Sequence, residues 1–208
     1  MIQKIFKILS IILLLGSILG KSLAQPAEGK GADNMLSNKK ILMVIASEDY
    51  RDEELNLPKK KFEENGAKVT VASNKLGEAR GMLGGKIKVD VLISSITSKD
   101  FDAIVVVGGI GSSKYLWKNK DLLKIVNDFF KEGKVIGAIC LSPVVLARAG
   151  VLNGKKATVF KTPETIEELK NGKAEFVNKD VVVSDKIVTG NGPDAAQKFA
   201  DEIIKLLK

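Results

Sequence analysis

The stretch Val135-Ile136-Gly137-Ala138-Ile139-Cys140-Leu141-Ser142-Pro143, running on through Val144 to Gly150, decides the fold. Its first five residues form a short, wholly apolar run, the composition of a parallel strand covered on both faces. Pro143 suits the first turn of a helix, and Gly150 closes that helix. Between strand and helix sits Cys140, the one cysteine of the chain. Strand, cysteine, helix is the geometry that presents a nucleophile on a tight turn. It also brings the sulfur near a helix N-terminus, whose partial positive charge favours thiolate, so a lowered thiol pKa is expected. Composition alone favours a plainer role, since free cysteine is among the most buried residue types. The local sequence reverses that preference.

Outward from this turn, continuous apolar runs alternate with amphipathic stretches. Ile41–Ala46, Lys68–Ser73, Ile104–Val107 and Ala157–Val159 read as strands, and Val181–Val183 with Ile187–Thr189 as a short pair around Asp185-Lys186. Helices are expected over Glu54–Asn65 (with Pro58 near its start and Gly66 as its stop), Asp121–Glu132, Pro163–Asn171 and Ala195–Leu207. In the helix over Asp121–Glu132 the buried side should carry Leu122, Leu123, Ile125, Val126, Phe129 and Phe130. Gly77–Thr97, with Gly81, Gly84 and Gly85 and then alternating Ile87, Val89, Val91 and Ile93, suggests a hairpin or edge insertion. Such alternation predicts an α/β fold with a mostly parallel, doubly wound sheet, whose functional crevice lies at the carboxyl ends of the strands. Gly108-Gly109 and Cys140 both fall there, on strands expected to be neighbours.

At 208 residues the chain suits one well-buried domain. The net charge of +8 invites a nucleic-acid reading, but basic residues interleave with Asp and Glu, and only 5% of residues are aromatic. No basic tract or stacking platform is in view, which argues against nucleic acid as a partner. Residues 1–24 differ from the rest: Lys4 and Lys7 precede the apolar run Ile8–Gly20, and Ser22-Leu23-Ala24 offers a small-x-small cleavage site. They read as a signal peptide for export, with residues 25–39 as a flexible linker and residues 40–208 as the domain. The run is shorter than the roughly 20 residues that span a bilayer, so an uncleaved membrane anchor is the second choice.

The chain resembles the ThiJ/PfpI family over residues 40–208. The resemblance is carried by Glu54 four before Pro58, the strand end Val107-Gly108-Gly109, the elbow Ala138-Ile139-Cys140 with Pro143, the run Ala149-Gly150-Val151-Leu152, and Gly192-Pro193 before the last helix. It implies a flavodoxin-like three-layer sandwich with a nucleophile elbow, and a homodimer. By the same resemblance Cys140 matches the family nucleophile and Glu54 the acid that contacts it, while the backbone N–H groups of Gly109 and Leu141 match an oxyanion hole. Glu54 has an independent rationale, since a carboxyl in a closed crevice beside sulfur should titrate high and could stay protonated. Its plainer reading is a solvated member of the acidic cluster Asp49, Asp52, Glu53 and Glu54.

The departures bear equally on function. The peptidase branch has histidine directly after the nucleophile, where this chain has Leu141, and other relatives have histidine before the later proline, where it has Thr162. The chain contains no histidine, so no Cys–His dyad forms and peptide hydrolysis is disfavoured. Ser142 stands where a glycine is common, which should tighten the elbow. What remains is thiol chemistry without a cofactor or metal: glyoxalase- or deglycase-like action on a small reactive aldehyde or a protein modified by one. The alternative is a redox sensor or chaperone of the stress response, working through oxidation of Cys140.

Overall fold

The computed structural model describes residues 34–208. The segment read as a signal peptide, and most of the segment read as a linker, lie outside the described residues. The last six linker positions are part of the domain: Leu36 is fully buried, and its N–H donates to the Asn65 carbonyl at 2.8 Å. An apolar side chain at that point closes one end of the core, which its polar neighbours concealed.

In chain order the elements are β1 (Lys40–Ile45), β2 (Glu48–Tyr50), α1 (Asp52–Glu64), β3 (Lys68–Ser73), β4 (Gly77–Gly81), β5 (Lys86–Val89), β6 (Val91–Leu92) and β7 (Ala103–Val106). They continue with α2 (Ile110–Tyr115), α3 (Lys120–Lys131), β8 (Val135–Ile139), α4 (Pro143–Arg148), β9 (Lys156–Ala157), α5 (Pro163–Asn171), β10 (Glu175–Phe176), β11 (Val181–Ser184), β12 (Ile187–Gly190) and α6 (Ala196–Leu207). Seven strands form the central sheet in the order β11-β12-β8-β7-β1-β3-β6, parallel throughout except for the β11–β12 hairpin.

The continuous apolar runs are explained by the layers. Alternate residues of β1 point to opposite faces: Leu42 and Val44 join a core with Ile125, Val126, Leu146 and Leu169, whereas Ile41, Met43 and Ile45 join one with Leu55, Phe62, Phe199 and Ile203. Helices α3, α4 and α5 therefore cover one face, and α1 and α6 the other. This is the flavodoxin-like α/β sandwich.

Several local expectations are corrected. Helix α1 begins at Asp52, so Pro58 lies in its second turn, where it removes the N–H that would have bonded to the Glu54 carbonyl. Leu123 is only partly buried and Phe130 is exposed, leaving the core stripe of α3 to Leu122, Ile125, Val126 and Phe129. The strand expected at Ala157–Val159 is β9, which pairs with β10 in a separate two-stranded sheet. Of the segment 77–97, Gly77–Val89 is the expected hairpin, β4–β5, in a third sheet with β2, whereas Val91–Leu92 is β6, an edge strand of the central sheet beside β3. Strand β2 and helix α2 were not read from the sequence, because Glu-Asp-Tyr is polar and α2 is only six residues long.

Candidate functional site

Strands β7 and β8 are neighbours, and both end at one crevice. Cys140 follows β8 directly and takes φ +60°, a left-handed conformation that a residue with a side chain holds only under constraint. Three groups impose it. The Cys140 N–H donates to the Gly190 carbonyl at 2.9 Å, its carbonyl accepts from the Phe160 N–H at 2.8 Å, and Ser142 N–H turns back to the Ile139 carbonyl at 3.0 Å. The side chain is left 8% exposed at the floor of the crevice.

Glu54 comes from the first turn of α1 and is wholly buried. It is not part of a solvated acidic cluster. Its Oε2 accepts from the Gly108 N–H at 3.0 Å, while its Oε1 is buried with no hydrogen-bond partner. The sulfur of Cys140 lies against this carboxyl. Gly108 is what allows the approach: a Cβ there would stand 2.5 Å from both the Cys140 Cβ and Glu54 Oε2. Gly109, at φ +99°, packs against the backbone of Asp49, Tyr50 and Arg51, and a Cβ there would collide with them. The N–H groups of Gly109 and Leu141 both bear on the sulfur. The structure thus brings together all four residues singled out in the sequence.

The electrostatics differ from the expectation of a depressed thiol pKa. Burial, with the charge of Glu54 behind it, pushes the Cys140 thiol up to about 12, and the N–H groups of Gly109 and Leu141 pull only partly the other way. Burial likewise raises Glu54 to about 7, against the opposing pull of the adjacent Cys140 thiol, the Gly108 N–H and the nearby charge of Arg51. The helix-end argument fails because α4 is a short helix that begins only at Pro143, whereas desolvation acts on the sulfur itself. Burial thus opposes the charged form of both groups, and Glu54, the one that titrates near neutrality, is the acceptor within reach of the thiol proton.

Supporting residues were largely missed in the sequence. Ser142 does tighten the elbow: its hydroxyl donates to the Val107 carbonyl at 2.7 Å and meets the Ser112 hydroxyl at 2.7 Å, all within the core. Trp117 Nε1 donates to the Leu141 carbonyl at 2.9 Å. Thr162 caps α5 by accepting from the Thr165 N–H at 3.1 Å. Arg51 precedes α1, with its N–H on the Gly108 carbonyl at 3.1 Å. The tightening by Ser142 was expected from its place in the elbow, but the partners of Ser142, Trp117 and Arg51 lie far along the chain, beyond the reach of a local motif. Beside the elbow opens a cleft of about 340 Å³, with Phe160, Asn191, Gly192 and Pro193 in its walls. Among the described residues no three His, Cys, Asp or Glu side chains converge as a metal cluster would.

Residues 39–206 match the family described as the DJ-1/PfpI family. The chain belongs to the DJ-1/PfpI family. An uncharacterised protein of Methanocaldococcus jannaschii is 48% identical to it over 197 residues, covering 95% of this chain and 96% of that one. A deglycase of Pyrococcus horikoshii is 33% identical over 169 residues, covering 81% of this chain and 99% of the enzyme. The crystal structure of a ThiJ/PfpI domain protein from Brachyspira murdochii superposes with a TM-score of 0.77 at 34% identity, covering 82% of this chain and 97% of that one. Family membership accounts for the sandwich and the elbow. This DJ-1/PfpI chain contains no histidine.

Proposed function

We propose that the chain is a cofactor-independent enzyme of the glyoxalase or deglycase type, acting through Cys140 on 2-oxoaldehydes or their adducts. The observation that carries this reading is the buried pair of Glu54 and Cys140, in which a carboxyl raised to about 7 faces a thiol whose ionisation burial also opposes. The similarity to a deglycase of Pyrococcus horikoshii supports the substrate class.

With methylglyoxal the chemistry closes without histidine. Glu54 takes the thiol proton as sulfur bonds to the aldehyde carbon, and the carbonyl π pair moves onto oxygen, beside the N–H groups of Gly109 and Leu141. Glu54 returns that proton to the oxygen, giving a hemithioacetal. It then removes the proton on the sulfur-bearing carbon, the electron pair forming an enediolate, and delivers that proton to the neighbouring carbon while the hydroxyl proton passes from the first oxygen to the second, leaving a thioester of the 2-hydroxy acid. Water cleaves the thioester, releasing lactate and restoring the thiol.

A second reading, a redox sensor, draws on the same geometry, because two N–H groups and a protonated Glu54 would also hold the oxygens of a sulfinate. One comparison separates the two. Wild-type protein is expected to convert methylglyoxal to lactate, and Cys140→Ser to lose at least a hundredfold in kcat/KM. Equal rates for the two proteins would sink the enzymatic reading. An inert wild type whose Cys140 gains oxygen under mild peroxide would favour the sensor.

A further inference from the structure

The geometry points to an anion subsite at Arg51, beside the nucleophile, which selects carbonyl compounds bearing a carboxylate or phosphate next to the reacting carbon. This deepens the reading above and rests on Cys140 being the group that meets the substrate.

Only three of the 33 basic residues are arginine, and one of them stands at this crevice. Its main chain is pinned: the Arg51 N–H donates to the Gly108 carbonyl, the Arg51 carbonyl accepts from Leu55 N–H at 3.3 Å, and Gly109 packs against the Arg51 nitrogen. Its side chain is held by Glu53, with Nε at 2.9 Å from Oε2 and Nη2 at 3.1 Å from Oε1. That contact uses one edge of the guanidinium. The other edge, Nη1 with the second hydrogen of Nη2, has no protein partner among the described residues, and the side chain is 28% exposed. A free guanidinium edge matches the two oxygens of a carboxylate or phosphate.

The backbone of Arg51 lies against Gly108 and Gly109, and Gly108 in turn lies against Cys140 and Glu54, so the guanidinium, three residues before Glu54, bears electrostatically on both reacting groups. Glu53 offsets this charge at longer range but does not occupy the second edge. In a chain without histidine, Arg51 is a cationic donor held by the backbone at the end of β7. It would also hold the carboxylate of a 2-hydroxy acid product, whatever the charge of the substrate.

The test reads alkylation rather than turnover, so it stands even if the protein has no glyoxalase or deglycase activity. Iodoacetate and iodoacetamide have nearly the same shape and differ in charge. Relative to a free thiol, Cys140 is expected to favour iodoacetate over iodoacetamide by about tenfold, the range of one charge-assisted contact. Arg51→Gln should return that ratio to the free-thiol value, Arg51→Lys should keep part of the preference, and Glu53→Gln should increase it. Lactate and inorganic phosphate, added separately, should each slow iodoacetamide in wild type and not in Arg51→Gln. Protection by one alone assigns the subsite to that anion. Circular dichroism of each variant controls for folding. The proposal is overturned if wild type and a folded Arg51→Gln share one iodoacetate-to-iodoacetamide ratio, or if neither anion protects.

Discussion

At the scale of single residues, the site depends on hydroxyl groups as much as on its reacting pair. Ser142 spends its only proton on the Val107 carbonyl, so Ser112 must be the donor in the contact between the two serines. This run of hydrogen bonds ties the elbow to the end of β7, next to Gly108, whose N–H donates to Glu54. Replacing Ser142 by Ala leaves a buried carbonyl and a buried hydroxyl unpaired, at a cost of about 1–3 kcal/mol. Urea unfolding should show that loss. Iodoacetamide should also alkylate Cys140 several-fold more slowly at neutral pH, with its pH midpoint displaced. A variant with wild-type stability and an unmoved pH profile would remove Ser142 from this role. Cys140 and Glu54 were legible in the sequence because strand, turn and proline spacing are local signals. Ser112, Ser142 and Arg51 were not assigned these contacts, since each depends on a partner far along the chain or on side-chain geometry.

At the scale of elements, the segment that delivers Glu54 is held from outside the main sheet. Strand β2 pairs with β4, and the Arg80 and Met82 N–H groups donate to the carbonyls of Ser47 and Tyr50 at 3.0 and 2.9 Å. Asp52, the first residue of α1, completes the hold by accepting from the N–H groups of Leu83 and Gly85 at 2.8 and 2.7 Å. Its carboxylate fills the β4–β5 turn so closely that a Cβ on Gly81 or Gly85 would overlap it. The hairpin was visible in the sequence through its glycines and alternation, but its docking was not, because Asp52 lies about thirty residues away. In Asp52→Ala, hydrogen exchange at the Leu83 and Gly85 amides should accelerate at least tenfold, while amides of β1 and β7 keep their protection. Unchanged exchange at the turn would show that β2 alone holds the hairpin.

For the whole molecule, burying Glu54 couples the site to stability. Its folded pKa of about 7 lies above the ordinary 4.5, so between these values the folded protein binds more protons than the unfolded chain. Stability contributed by this group is fully present below about pH 4.5 and is lost as the pH rises through 7. The full effect is on the order of 3 kcal/mol, since each tenfold change in proton affinity is about 1.4 kcal/mol. Urea midpoints measured from pH 5 to pH 8 should fall for wild type and stay nearly level for Glu54→Gln. Parallel curves for the two proteins would show that Glu54 does not titrate between those limits. The same variant should slow alkylation of Cys140 near neutrality by at least tenfold, because Gln cannot take the thiol proton.

What the sequence determined by itself is local or periodic: the parallel sheet from its doubly apolar runs, the helices from their caps and stripes, and the elbow from a cysteine between strand and proline. Those signals need no knowledge of which residues meet. What only the tertiary structure decided is the direction in which the site's two acids titrate. The helix-end argument lowered the Cys140 pKa; burial in the closed crevice raises both Cys140 and Glu54. The physical reason is desolvation, which comes from the whole packed surroundings of a group and is written in no single stretch of the chain.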